Sequence, residues 1–181
     1  HVAEMAAIAG ARHRGLGDKN GLDGAAVDAM RAALNHMSID GIVVIGEGEK
    51  DEAPMLYIGE HVGSGSAPMV DIAVDPIDGT TLLSKGLPGA IAAIALSSRG
   101  TMSCPREMVY VNKIAVGPEA KDAIDIDAPT AVNLKNIARA VGRPVEGLTV
   151  VVLDRPRHER LVSDIRAAGA RVKLISDGDV A

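Results

Sequence analysis

Val70-Asp71-Ile72-Ala73-Val74-Asp75-Pro76-Ile77-Asp78-Gly79-Thr80-Thr81 is the stretch on which the fold turns. The largely apolar run Val70–Val74 predicts a buried strand that ends at Asp75. Pro76 has no amide proton to donate and so closes the ladder. Gly79 permits a tight turn, and Gly79-Thr80-Thr81 opens a short helix. Asp75 and Asp78 thus flank a Pro-Ile pair at a strand end. Like charges so close repel, and they are costly without a cation between them. Carboxylate donors suit Mg²⁺ or Mn²⁺ rather than Zn²⁺. Amides at the start of the following helix are placed to face an anion. The plainer alternative is an Asp-rich turn with a helix cap.

Upstream, a second acidic segment has the same placement. Ile42–Ile45 reads as a buried strand, and Gly46-Glu47-Gly48-Glu49-Lys50-Asp51-Glu52 follows it. Carboxylates at strand ends converge on one edge of a sheet, where ligands commonly bind. A solvated charged loop is the alternative. Residues 2–13 read as an Ala-rich helix. Residues 23–38 read as a second helix, with Ala26, Met30, Ala33, Leu34 and Met37 at helical spacing and Asp23 at the N-cap position. Asp23 adds a third acidic group, able to cap and to ligate.

Downstream, residues 90–97 and 108–116 read as strands, expected to pair antiparallel through Arg99-Gly100. Residues 129–141 read as a helix. The pattern then changes to strand 149–153, helix 156–168 and strand 171–175. That is a βαβ unit, which implies parallel strands. Parallel strands place Asp154-Arg155-Pro156-Arg157-His158 and Asp177-Gly178-Asp179 at one edge. Arg155 and Arg157 offer forked donors to a phosphate, and Asp177 and Asp179 offer acceptors to sugar hydroxyls. A surface Arg pair and a simple turn are the alternative. The expected fold class is α+β. It comprises a mixed helix and antiparallel-sheet domain over residues 1–145, followed by the start of an α/β domain over residues 146–181.

Composition narrows the function. The 181 residues include 19 basic and 24 acidic side chains, a formal net charge of −5. That balance argues against a protein that mainly binds nucleic acid or anionic membrane. Hydrophobic residues make up 47%, yet there is no Phe, no Trp and only two Tyr, so Ala, Val, Ile, Leu and Met must fill the core. Aromatic base-stacking modules are disfavoured for the same reason. Cys104 is the single cysteine, so no disulfide forms within the chain. The longest apolar run, Ala90–Leu96, is far below the roughly 20 residues that cross a bilayer. A cytoplasmic enzyme is the expectation. His1 opens directly on a helical pattern and Ala181 follows closely on a strand, so a fragment of a longer protein is expected.

Together these motifs resemble a known family. Asp75-Pro76-Ile77-Asp78-Gly79-Thr80 is similar to the signature of the lithium-sensitive, metal-dependent sugar phosphatases. With Gly17-Asp18-Lys19, Asp23–Val27, Gly46–Tyr57, Arg155–His158 and Asp177–Ala181, the whole chain resembles bacterial class II fructose-1,6-bisphosphatase. The resemblance implies metal ligands at Asp23, Glu47, Asp75 and Asp78, where some relatives carry Glu in place of Asp78. It implies catalytic roles for Asp51 and for Thr80, which would orient the attacking water, with Lys19 supporting the metal site. It implies substrate contacts at Asp78, Gly79, Thr80, Tyr110, Arg155, Pro156, Arg157, Asp177, Gly178 and Asp179. The implied cofactor is Mg²⁺ or Mn²⁺, and the implied substrate is fructose 1,6-bisphosphate or sedoheptulose 1,7-bisphosphate. A homo-dimer or tetramer is implied as well. A sister inositol or sugar monophosphatase and a non-catalytic binding remnant are the competing readings. The family has a further α/β stretch after Asp-Gly-Asp, so the 181 residues alone are expected to be weakly active or inactive.

Overall fold

The computed structural model describes residues 1–47, 56–105 and 110–178. The chain divides into two units, His1–Glu107 with Asp177–Ala181, and Met108–Ser176. The first unit holds helices α1 (Val2–Ala11) and α2 (Lys19–Asn35), strands β1 (Asp40–Ile45), β2 (His61–Val62) and β3 (Met69–Asp78), helix α3 (Thr80–Ser84) and strand β4 (Ile91–Ser98). Its sheet has the order β2-β1-β3-β4. β1 runs parallel to β3, and β2 and β4 run antiparallel to their neighbours. The α+β class therefore holds, with a mixed sheet.

β3 is the central strand because its side chains are buried almost throughout, as a doubly paired strand requires. Ile72, Val74 and Ile77 meet Ala6 of α1 and Leu22, Ala26, Val27, Met30 and Leu34 of α2 in one core. The Ala-rich α1 lies very close to the sheet. A methyl added at Gly10 would come within 2.7 Å of Ile77 Cδ1. Small residues at this interface replace bulk with proximity, which is how a core with no Phe or Trp closes here. Asp71 is buried at the start of β3 and faces Arg99, with Nε 3.5 Å from Oδ1. Arg99 also donates to the carbonyls of Val70 and Asp40. This cluster compensates the buried charge.

β3 continues through Asp78 rather than stopping at Asp75. Asp75 pairs with Ala93 and Asp78 with Ile91, so β3 spends one more residue than β4 over this step. Pro76 lies in that bulge, a site where a missing donor is tolerated.

The second unit contains α4 (Thr130–Ala140), β5 (Thr149–Leu153), α5 (Glu159–Ala167) and β6 (Arg171–Ile175). β5 and β6 pair parallel in register from Thr149↔Arg171 to Leu153↔Ile175, as a βαβ unit requires. Leu134, Val152, Ile165 and Ala170 form its core. Asn133, also buried, donates to the carbonyls of Asp125 and Ala128 and ties the preceding turn to α4.

Three local expectations change. α2 starts at Lys19, and its cap is Asp18, which accepts from the Gly21 amide at 2.9 Å. Asp23 is thereby released from capping. The described part of 108–116 is not a strand. Tyr110 and Val111 are exposed, and the only partner of β4 among the described residues is β3. β-branched content marks a good fit to a sheet, but a strand also needs a neighbour to take its hydrogen bonds. Lastly, the compact units meet at 107/108, whereas the sequence reading divides the chain at 145/146. Leu134 of α4 joins the core of β5 and α5, so α4 packs with the second unit.

The core of the second unit is small, so one truncation should be felt there alone. Ile165→Ala is expected to cost about 2–5 kcal/mol locally. Hydrogen exchange should show protection lost in β5, α5 and β6 and kept in α2.

Candidate active site

Three segments of the first unit bring charged side chains together. The first is the start of α2. Lys19 and Asp23 lie four residues apart and so on one helix face. Both reach α3. Lys19 Nζ is 2.9 Å from Thr81 Oγ1. Thr80 Oγ1 is 3.0 Å from Asp23 Oδ1 and 3.2 Å from the Ile77 carbonyl, one proton shared between two acceptors. The connector between α1 and α2 fixes this approach. Gly15 and Gly17 amides donate to the Leu83 and Ser84 carbonyls, and Arg14 donates to Gly86 O.

The second segment is the end of β1. Because β1 and β3 are parallel, their C-terminal ends share one edge of the sheet. Glu47 follows β1 by two residues, and its amide donates to Leu56 O at 3.0 Å. Gly46 makes this possible. A Cβ there would lie 2.2 Å from Leu56 O and 2.7 Å from Val43 Cγ1.

The third segment is the end of β3. Asp75 has one fully buried oxygen, Oδ1, and Asp78 is 7% exposed. Gly79 follows in the left-handed region (φ 88°), where only glycine is unstrained, and α3 starts at Thr80.

The electrostatics show how close these groups are. Burial first, and then the charges of Asp75 and Asp23, together raise the Glu47 carboxyl to about 7. Burial also raises Asp23, opposed by the Thr80 hydrogen bond and the Lys19 charge. Glu47 therefore feels both Asp75 and Asp23, and Asp23 has Thr80 and Lys19 beside it. Asp78 lies on the same strand end, buried in the sheet. Asp51 and Asp179 fall outside the described residues.

The expected phosphate and sugar contacts divide between the units. In the second, Arg157 stacks its guanidinium 4.3 Å from the centroid of the Tyr110 ring. Arg155 donates to its neighbour's carbonyl, Asp154 O, at 2.9 Å, and Pro156 opens a 3₁₀ turn ahead of α5. Asp177 and Gly178 group with the first unit. A Cβ on Gly178 would approach the Gly89 carbonyl to 3.1 Å.

Carboxylates gathered at parallel strand ends, beside a hydroxyl–carboxylate pair, are what the sequence signature anticipates. The family model described as "Bacterial fructose-1,6-bisphosphatase, glpX-encoded" matches residues 1–181. The chain belongs to the bacterial class II fructose-1,6-bisphosphatase family. It is 52% identical over 180 residues to fructose-1,6-bisphosphatase 1 class 2 of Escherichia coli K12. Fructose-1,6-bisphosphatase class 2 of Shigella flexneri matches to the same degree. These alignments cover 99% of this chain and 53% of each relative, so the chain spans about half their length.

The donor set fits a hard divalent cation in kind, since Asp23, Glu47 and Asp75 are all carboxylates whose mutual charge resists burial. Among the described residues, no group of three or more His, Cys, Asp or Glu side chains is arranged to hold an ion as it stands. The carboxylates are coupled through charge rather than closed into a coordination shell.

Two residues gain roles that the sequence reading did not assign. Thr81 anchors Lys19, and Gly46 seats Glu47. The signal for Gly46 was available, because it is the single residue between a buried strand and an acidic one.

Linkage gives a test without metal. Glu47 has a folded value of about 7 against an ordinary 4.5. The folded state therefore holds its proton longer than the unfolded chain, and stability falls as pH rises from about 4.5 through about 7. In chelator, the thermal midpoint should decline over that window, and Glu47→Gln should flatten the decline. Gly46→Ala should weaken divalent-ion binding by displacing Leu56 and with it the Glu47 amide, as read by titration calorimetry.

Proposed function

We propose that this chain is the metal-binding portion of an enzyme that hydrolyses fructose 1,6-bisphosphate to fructose 6-phosphate and phosphate. Sedoheptulose 1,7-bisphosphate, a ketose bisphosphate one carbon longer, is a second candidate substrate. The observation that carries the reading is the Thr80–Asp23 hydrogen bond set beside Glu47 and Asp75, in a chain whose full length matches this family. Asp23, Glu47, Asp75 and Asp78 would hold Mg²⁺ or Mn²⁺. When bound, such an ion neutralises phosphoryl oxygens and lowers the pKa of water.

The chain's own groups supply the rest. With its proton committed to Asp23, Thr80 Oγ1 keeps lone pairs that accept from a water. The water's oxygen is thereby aimed and its proton has a path toward the Asp23 carboxylate. Lys19 places a positive charge near Asp23 and steadies Thr81. Gly79 lets the α3 backbone turn into the site. No covalent phosphoenzyme is required.

Arg155 and Arg157 provide cationic donors for the distal phosphate, with Tyr110 holding Arg157 by its ring face. Pro156 stiffens the turn between them. Asp177, Gly178 and Asp179 supply acceptors and space for sugar hydroxyls, and Asp51 is a further catalytic carboxylate. The cellular setting would be carbohydrate metabolism in the cytoplasm, in a homo-oligomeric enzyme. Among the described residues no helix is long and apolar enough to cross a membrane.

In the full-length protein, Thr80→Ala should reduce kcat on the order of 10²-fold or more, with KM little changed. Thr80→Ser should restore most of it. A phosphate-release panel should show fructose 1,6-bisphosphate preferred over inositol 1-phosphate. Equal turnover of the two would support the monophosphatase reading, and binding without release would support a non-catalytic one.

A further inference from the structure

Arg31 lies two turns beyond Asp23 on α2. It grips Glu60 in a fork, with Nε 2.6 Å from Oε1 and Nη2 3.3 Å from Oε2. Glu60 is 9% exposed and lies just after the site's second backbone segment. Its Oε2 also accepts from the Tyr57 amide at 3.3 Å, and its own amide donates to the Tyr57 carbonyl at 3.0 Å. The Glu60 carbonyl accepts from the Val43 amide, which ties the same turn to β1. Leu56, next to Tyr57, is fully buried, and its carbonyl accepts the Glu47 amide. A continuous path of contacts therefore runs from α2 through Glu60 and the Tyr57–Leu56 backbone to Glu47. Asp23 stands on the same helix at the path's origin.

The geometry suits positioning better than it suits stability. A largely buried ion pair returns little net free energy, because desolvation offsets attraction. An Arg–carboxylate fork does fix relative orientation, through two parallel bonds. Orientation is what this site needs. Glu47 is repelled by Asp75 and Asp23, and its backbone must be kept from drifting away from α2 while the site is open.

We propose that Arg31 and Glu60 are positioning residues for the metal site: their ion pair fixes the Leu56–Tyr57 backbone, and through it the backbone of Glu47, relative to the helix that carries Asp23. The inference rests on the reading of Asp23 and Glu47 as ligands. It names no new ligand; Arg31 and Glu60 act through Leu56 and Tyr57.

The test is direct titration of Mn²⁺ into the metal-free full-length protein, with thermal denaturation run in parallel. Arg31→Lys keeps the charge and loses the fork. Glu60→Gln keeps the shape and the acceptor for Tyr57, so it serves if the Arg31 variant does not fold. Each is expected to weaken Mn²⁺ binding about tenfold or more, the range for residues that orient a ligand. Arg99→Lys is the control. It loosens the Arg99–Asp71 pair at the other end of β3 and should lower the thermal midpoint with Mn²⁺ affinity unchanged. Unchanged affinity in Glu60→Gln, alongside lost affinity in Glu47→Gln, overturns this inference and leaves the metal reading standing. Unchanged affinity in Glu47→Gln overturns both. An equal loss in Arg99→Lys also overturns it, because the effect would then be general destabilisation.

Discussion

Carboxylates held near one another and partly out of water repel, and the first unit is organised around holding them there. Asp75 and Asp23 both act on Glu47 and, with burial, move it to about 7. A protein selected for stability alone would not keep this arrangement. Elsewhere the same chain treats buried acid differently. Asp71 and Glu60 are each matched by an arginine. The contrast is between buried acids paired with an arginine and Glu47, whose carboxyl is raised by burial and by the neighbouring charges of Asp75 and Asp23.

The backbone explains how the charge is brought together. β1 and β3 run parallel, so Glu47 and Asp75 emerge at one edge. A bulge at Pro76 lets β3 carry Asp78 further before Gly79 turns the chain. α2, capped by Asp18, presents Lys19 and Asp23 on one face to Thr81 and Thr80. Each device is local and cheap. A proline without a donor sits where none is needed, and glycines sit where a Cβ would collide or where φ is positive.

Much of this was legible in the sequence. β1 and β3 show as largely apolar runs, and the βαβ unit by its alternation of strand, helix and strand. Glu47 and Asp75 stand out because each lies at a strand end, and Asp23 because it lies near a helix start. What could not be read were relations across long separations. The Thr80–Asp23 bond joins residues 57 apart, and the Arg31–Glu60 fork joins residues 29 apart. No periodicity records either. Asp23 suits a cap as well as a ligand, but Asp18 offers the same side chain five residues earlier and is the one that accepts the Gly21 amide. A strand is expected at 108–116 as a partner of the preceding one, yet Tyr110 and Val111 are exposed and the described part forms no strand. α4 was assigned to the first domain by position in the chain, whereas Leu134 packs with Val152 and Ile165.

The central claim is that the charge at the strand ends exists to bind a catalytic cation. The most direct measurement is phosphate release from fructose 1,6-bisphosphate by the full-length protein carrying Asp75→Asn, at saturating Mg²⁺ or Mn²⁺, with the metal-free melting temperature recorded alongside. Removing one charge should relieve the repulsion on Glu47. The account predicts that release falls by about 10²-fold or more while the metal-free protein melts no lower than wild type. Release at the wild-type rate would contradict it.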